Sequence, residues 1–252
     1  MAILIKDDRS IKKIAIAGDI IYEIFKTIGT IDISGMTTNQ LNDHINKMIR
    51  ERGGIPSFYH YRGFPKHCCI SLNEQVVHGI PDDRKINTGD LVKIDVGVTY
   101  DGYIADAATT IPVGDVSHDV QRLVHTTKQA LERGIAKAKK GKHISDISQS
   151  IQTAVETEGF SVVRELTGHG VGRELHEEPM IPNFLCNAPD PKLDAGMVLA
   201  IEPMVTMGEY HVITEANGWT IATRDGSLSA HFEDTIVITK RGNMNLTRVV
   251  ES

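Results

Sequence analysis

Apolar residues recur at helical spacing twice in the first half of the chain and twice in the second. In Ser10 to Ile28, the residues Ile11, Ile14, Ile21, Phe25 and Ile28 share one face, the signature of an amphipathic helix. In Asp119 to Lys140, the same is true of Val120, Leu123, Val124, Leu131 and Ile135. Each is followed by a second helical segment, MTTNQLNDHINKMIRERGG and KHISDISQSIQTAVETEGF. Both open on polar helix-starting residues and stop near a glycine, Gly53 or Gly159. Leu41, Ile45 and Ile49 match Ile147, Ile151 and Val155 at a constant offset of 106 residues.

The repetition runs on into strands. GDLVKIDV (Gly89 to Val96) resembles GMVLAIEP (Gly196 to Pro203) at an offset of 107, which aligns Asp95 with Glu202. Each is followed by another strand with an acid in it, IADAATTI with Asp106 and HFEDTIVI with Glu233. The second pair is farther apart because YHVITEANGWTIATRDGSLSA is inserted. The pattern predicts one domain, residues 1–252, built of two related halves at roughly 1–114 and 115–252.

Val92 to Thr110 reads as strand, turn, strand, with Asp101-Gly102 as the hairpin signal. A two-residue turn there sets Asp95 opposite Ala108, with Asp106 two residues away on the same face. A turn shifted back by one residue sets Asp95 directly opposite Asp106. A three-residue loop would put the acids on opposite faces. Asp95 and Asp106 lie in apolar surroundings, in KIDVGV and IADAAT. Two carboxylates about 4 Å apart repel by roughly 4 kcal/mol at an effective dielectric of 20, so a buried set of four calls for shared protons or cations. Four carboxylates and an imidazole suit first-row divalent ions and do not suit a thiolate site.

Composition narrows the picture. Hydrophobic residues make up 40% of the 252 and the net charge is −6. That fits a soluble globular core and, with no basic stripe, argues against nucleic acid as the main partner. Cys68, Cys69 and Cys186 form no disulfide framework, MAILIKDDRSIKK lacks the layout of a signal peptide, and no apolar run approaches the roughly 20 residues of a membrane helix. A reducing, cytoplasmic setting is expected. The basic run from Lys137 to Lys142 reads better as a solvated face favourable to a helix dipole than as a ribosome contact. His118, His125 and His143 read as surface or loop histidines.

Most of the remaining chemistry is in GHGVGRELHEEP, Gly168 to Pro179. Together with the pairs ID and AD carrying Asp95 and Asp106, with IEP, FED and HGIP at His78, it resembles the type I methionine aminopeptidases over nearly the whole chain. The resemblance implies an α+β "pita-bread" fold, an antiparallel sheet with helices outside and a pseudo-two-fold axis through a dinuclear site. It implies that Asp95, Asp106, His169, Glu202 and Glu233 bind two divalent metal ions (Co, Mn, Fe or Zn), with Asp106 and Glu233 bridging and Glu202 also acting as proton shuttle. His78 and His176 would touch substrate, and the glycines beside His169 would let it approach a metal closely. Tyr61, Phe64, Cys69 and Trp219, with Leu175 and Phe58 nearby, would wall a methionine pocket. Asn73 and Ser229 would hold a monovalent cation.

The implied activity is removal of the N-terminal methionine from nascent polypeptides with a small second residue, by attack of a metal-bridging water on the first peptide bond. A monomer, in transient contact with the ribosome, is the implied state. An X-Pro peptidase and a pita-bread module without catalysis are the rivals. The first usually carries a large extra N-terminal domain, and the second sits poorly with five filled ligand positions. The chain departs from the family in Phe64 where many relatives have Tyr, in Leu175 where many have Phe, and in His231-Phe232-Glu233-Asp234 where most have Gln-x-Glu-His. These departures bear on the pocket and on metal preference.

Overall fold

Two antiparallel sheets, one per half of the chain, set the frame of the computed structural model, which describes residues 2–248. The ends of the expected domain, residues 1 and 249–252, lie outside the described residues. In the first half, Leu91–Tyr100 and Tyr103–Pro112 pair along their whole length, with Tyr100 opposite Tyr103. Asp101 and Gly102 have φ of 46° and 76°, the left-handed pair that a two-residue primed turn requires. Asp95 therefore faces Ala108 and Asp106 faces Gly97. The unshifted two-residue register is the one adopted, and it leaves both acids on one face.

The other edge of Leu91–Tyr100 pairs with Cys69–Leu72 and the short Ile55–Pro56. In the second half, Val198–Ile201 lies between Asp234–Thr239 and Thr167–Gly170, with Gly242–Asn245 and Glu177–Pro182 at the margins. The sheets meet where Ala108 and Glu233 exchange backbone hydrogen bonds of 3.2 and 3.0 Å. The Thr235 hydroxyl fixes the same seam, accepting from the Asp106 N–H and donating to its carbonyl.

The four expected helices form, at Asp8–Ile28, Thr38–Glu51, His118–Lys137 and Ile144–Thr157. The first starts ahead of Ser10 because the Asp7 carboxylate caps the Ser10 N–H at 2.8 Å. The third stops short of Lys140 because Ala138, at ψ 80°, has left the helical region. Thr37 and Gln40 close a reciprocal capping box on the second helix.

The helices of each half cover one face of their own sheet. Ile21, Leu41 and Ile45 are buried with Val92, Ile94 and Val96, and Leu131, Ile147 and Ile151 with Leu199, Ile201 and Ile236. Strand alternation then turns Lys93, Asp95 and Gly97 to the opposite face. The inserted segment forms the hairpin Val212–Thr214 and Ile221–Thr223, which joins Gln75–Val77.

Lys93 corrects the expected monovalent-cation site. It is buried, and its ammonium donates to the Asn73 carbonyl at 2.6 Å and to the Ser229 carbonyl and hydroxyl at 3.2 and 3.4 Å. The acceptors expected to hold a free cation are occupied by this chain's own tethered one. Asn73 belongs to the first half and Ser229 to the second, so the contact also ties the halves together. Lys93→Met keeps the bulk and removes the donors. It should lower stability by roughly 1–3 kcal/mol, the usual cost of stranding a buried polar group, read by chemical denaturation; an unchanged midpoint would contradict it.

Candidate metal centre

The inner face of the seam closes over a cavity of about 160 Å³. Asp95 and Asp106 reach it from the first hairpin, and His169, Glu202 and Glu233 from the second sheet and its margins. Glu202 lies just past Val198–Ile201 and Glu233 just before Asp234–Thr239. Asp106, His169 and Glu233 offer ligand atoms within 4.8 Å of one another, as do Glu202, His231 and Glu233. Asp95 is in neither of these groups and enters beside Asp106.

The four acids are buried or nearly so, and burial is the main force raising their pKa values. Asp106 is pushed up to about 7. Asp95, Glu202 and Glu233 are raised well above the ordinary carboxyl range, by burial and then by the Asp106 charge. Asp95 Oδ1, Asp106 Oδ1 and Glu233 Oε1 are buried without hydrogen-bond partners. Unpaired buried oxygens that repel one another are what a divalent cation would satisfy, so the residues present fit one.

His169 is held neutral, its pKa pulled to about 4 by burial. Its Nδ1 faces the Gly170 carbonyl at 2.9 Å, leaving Nε2 3.5 Å from Glu202 Oε1. A histidine that donates through one ring nitrogen presents the other as a ligand. A Cβ on Gly168 would stand 2.5 Å from the Ala200 carbonyl oxygen, and one on Gly170 would stand 2.2 Å from that of Glu178. Both flanking glycines admit the neighbouring backbones. Glu177 lies to one side, accepting from Lys6 and from the Arg173 and Glu174 N–H groups.

The cavity's other wall is apolar. Phe64 and Trp219 meet edge to face with centroids 5.3 Å apart, and Cys69 and Leu175 are buried beside them. Trp219 arrives on the inserted hairpin. The Tyr61 hydroxyl lies 2.9 Å from His176 Nδ1, and the His176 ring lies 4.2 Å from that of His169. Burial pulls the His176 pKa to about 3 and also lowers that of His78, so both imidazoles are neutral at pH 7.

All the residues singled out from the sequence as ligands, substrate contacts or pocket walls line this one cavity. Arg62 lines it too, at a positive φ of 49°, and carried no sequence signal. His231 was marked only by its departure from the family pattern.

Carboxyls whose pKa values burial has raised take up protons more readily than ordinary ones, and a bound cation must displace those protons. Divalent-metal uptake should therefore release protons, and affinity should fall as pH is lowered. Titration calorimetry of metal-free protein in two buffers of different ionisation enthalpy reads the release as a buffer-dependent heat. Equal heats would mean that the acids are already ionised.

Comparison with known proteins places these features in context. The model of metallopeptidase family M24 matches residues 12–240. The chain is 48% identical over 215 residues to methionine aminopeptidase 1 of Bacillus subtilis, covering 85% of this chain and 87% of that one. It is 44% identical over 247 residues to the methionine aminopeptidase of Clostridium perfringens, covering 98% and 99%. A crystal structure of a methionine aminopeptidase from Thermotoga maritima superposes with a TM-score of 0.95 at 40% identity, covering 98% of this chain and all of that one. The architecture is the α+β pita-bread fold, and the chain belongs to metallopeptidase family M24, among the methionine aminopeptidases.

Proposed function

We propose that this chain is a metal-dependent aminopeptidase that removes the N-terminal methionine from nascent polypeptides with a small second residue, working as one domain of two pseudo-symmetric halves. The observation that carries the reading is the meeting of an acidic cluster and an aromatic slot in one small cavity. At about 160 Å³ it is well below the roughly 300 Å³ at which drug-sized pockets begin. That space suits a single side chain beside the acids, which favours cleavage at the chain's first bond.

Asp95, Asp106, His169, Glu202 and Glu233 would hold two divalent ions, with Asp106 and Glu233 shared. The donor set suits Mn, Fe, Co or Zn. Bound there, such ions supply a water of lowered pKa and polarise the scissile carbonyl. The protein's own groups do the rest. Glu202, its pKa raised by burial and by Asp106, is able to hold a proton on a carboxyl oxygen and deliver it to the leaving amine.

His78 and His176, both neutral, act as hydrogen-bond donors towards the amide and the carbonyl oxygen; the Tyr61 hydroxyl fixes the His176 ring. Phe64, Trp219, Cys69 and Leu175 offer a polarisable apolar slot suited to a thioether. A small second residue keeps the path to the acids open. In the cell the substrates emerge from the ribosome, and we place the enzyme in the cytoplasm as a monomer in transient contact with it.

Protein loaded with Mn or Co should cleave Met-Gly-Met and leave an X-Pro peptide intact. Cleavage of neither would sink the enzyme reading, and cleavage of X-Pro alone would move the chain to the rival activity. His176→Ala should lower turnover of Met-Gly-Met by roughly 10²–10³-fold, the usual cost of an oxyanion donor, with metal content by elemental analysis unchanged. Loss of metal in that variant would instead make His176 a ligand.

A further inference from the structure

His231 is a buried histidine beside the cavity whose ring nitrogens have no hydrogen-bond partner. It ends the short strand Ser229–His231, opposite Met204. Its backbone is fixed on both sides by Thr110, whose hydroxyl accepts from the His231 N–H at 2.9 Å and donates to its carbonyl at 2.6 Å. The residue is 1% exposed, and neither ring nitrogen has a hydrogen-bond partner. A buried polar group left unmatched costs about 1–3 kcal/mol, so a rigidly held imidazole with two idle nitrogens needs an account.

The surroundings provide one. His231 Nε2 stands 3.6 Å from Glu202 Oε2, while His169 Nε2 stands 3.5 Å from Glu202 Oε1. Glu202 is thus flanked by an imidazole on each oxygen. Both separations exceed a normal N–H···O hydrogen bond. Both match the spacing of two donors on one ion, since ligands about 2.1 Å from a metal at a tetrahedral angle stand about 3.4 Å apart. Glu233 completes the group, with one ligand atom from each of Glu202, His231 and Glu233 within 4.8 Å.

We propose that His231 is a further metal ligand, binding a first-row divalent ion through Nε2 together with Glu202 and Glu233. The inference rests on the metalloenzyme reading above and adds a second nitrogen donor to a centre that otherwise has one. A second imidazole shifts the site towards ions that favour nitrogen, Co and Zn over Mn. It also leaves Glu202 shared between two histidine-bearing groups.

The test counts the bound histidines directly. Full-length protein purified without added metal is saturated with Co(II). Proton NMR is then recorded for the strongly shifted, solvent-exchangeable ring N–H resonance that each cobalt-bound imidazole gives. Two such resonances are expected in the wild type, one of which is lost in His231→Gln. A single resonance in the wild type, or two that both survive the substitution, would overturn the proposal; the wild-type count stands even should the variant fail to fold. Hydrolysis of Met-Gly-Met by the same samples separates the two claims. Cleavage with one resonance sinks only the role of His231, and two resonances without cleavage sink only the peptidase reading. No shifted resonance together with no cleavage would overturn both.

Discussion

The crowding of buried negative charge at the seam between the halves is the constraint on which the rest of the structure depends. Two carboxylates about 4 Å apart repel by roughly 4 kcal/mol even at an effective dielectric of 20, and here four converge on one cavity. Among the described residues, no Lys or Arg forms an ion pair with Asp95, Asp106, Glu202 or Glu233; Glu202 and Glu233 have histidines within 4.0 Å instead. Asp234 shows the alternative. It follows Glu233 directly, turns the other way along the strand, and is paired with Arg248 at 2.8 Å. Of two adjacent acids, one is neutralised by the protein and one is kept for a ligand.

The scaffold is arranged around holding that unneutralised set in place. The left-handed turn at Asp101 and Gly102 fixes the register that puts Asp95 and Asp106 on one face. The paired hydrogen bonds between Ala108 and Glu233 bring the second half's acid to the first half's hairpin. Gly168 and Gly170 let the strand carrying His169 lie close against its neighbours. Lys93 faces the same side as Asp95 yet donates to carbonyls of both halves, and burial lowers its pKa to about 7, so it braces the seam without pairing with the acids. Any of these contacts could be lost with the helices intact; what would suffer is the convergence.

Much of this was legible in the sequence because it depends on periodicity and local turn chemistry. The helical repeats at an offset of 106 residues become four helices packed outside two sheets, and the Asp101-Gly102 signal becomes a hairpin whose register was open among three turns until the fold fixed it. The convergence of acids was legible only through the repeat and the family resemblance, since no local pattern states that Glu233 will bridge to Ala108. What escaped depends on contacts between distant segments. Lys93 sits in KIDV like any strand lysine, and only the fold shows that Asn73 and Ser229 surround it. Arg62 enters the cavity on a strained loop residue with no motif. The glycines by His169 were correctly marked as close-approach positions, but what approaches is neighbouring backbone.

The neutrality of the cavity's histidines follows from the same constraint. A protonated imidazole would be a convenient partner for so many carboxylates, yet burial holds His169 near 4 and His176 and His231 near 3. Burial is the first cause in each case, and desolvation outweighs the attraction of the nearby acids. Both sets of groups are thus kept from solving the problem between themselves, because a protonated imidazole would be a further buried charge that desolvation disfavours. The favourable route is to replace the protons with divalent ions. That ionises the acids, leaves imidazole lone pairs free to bind, and gives the cavity its reactive form only when it is loaded.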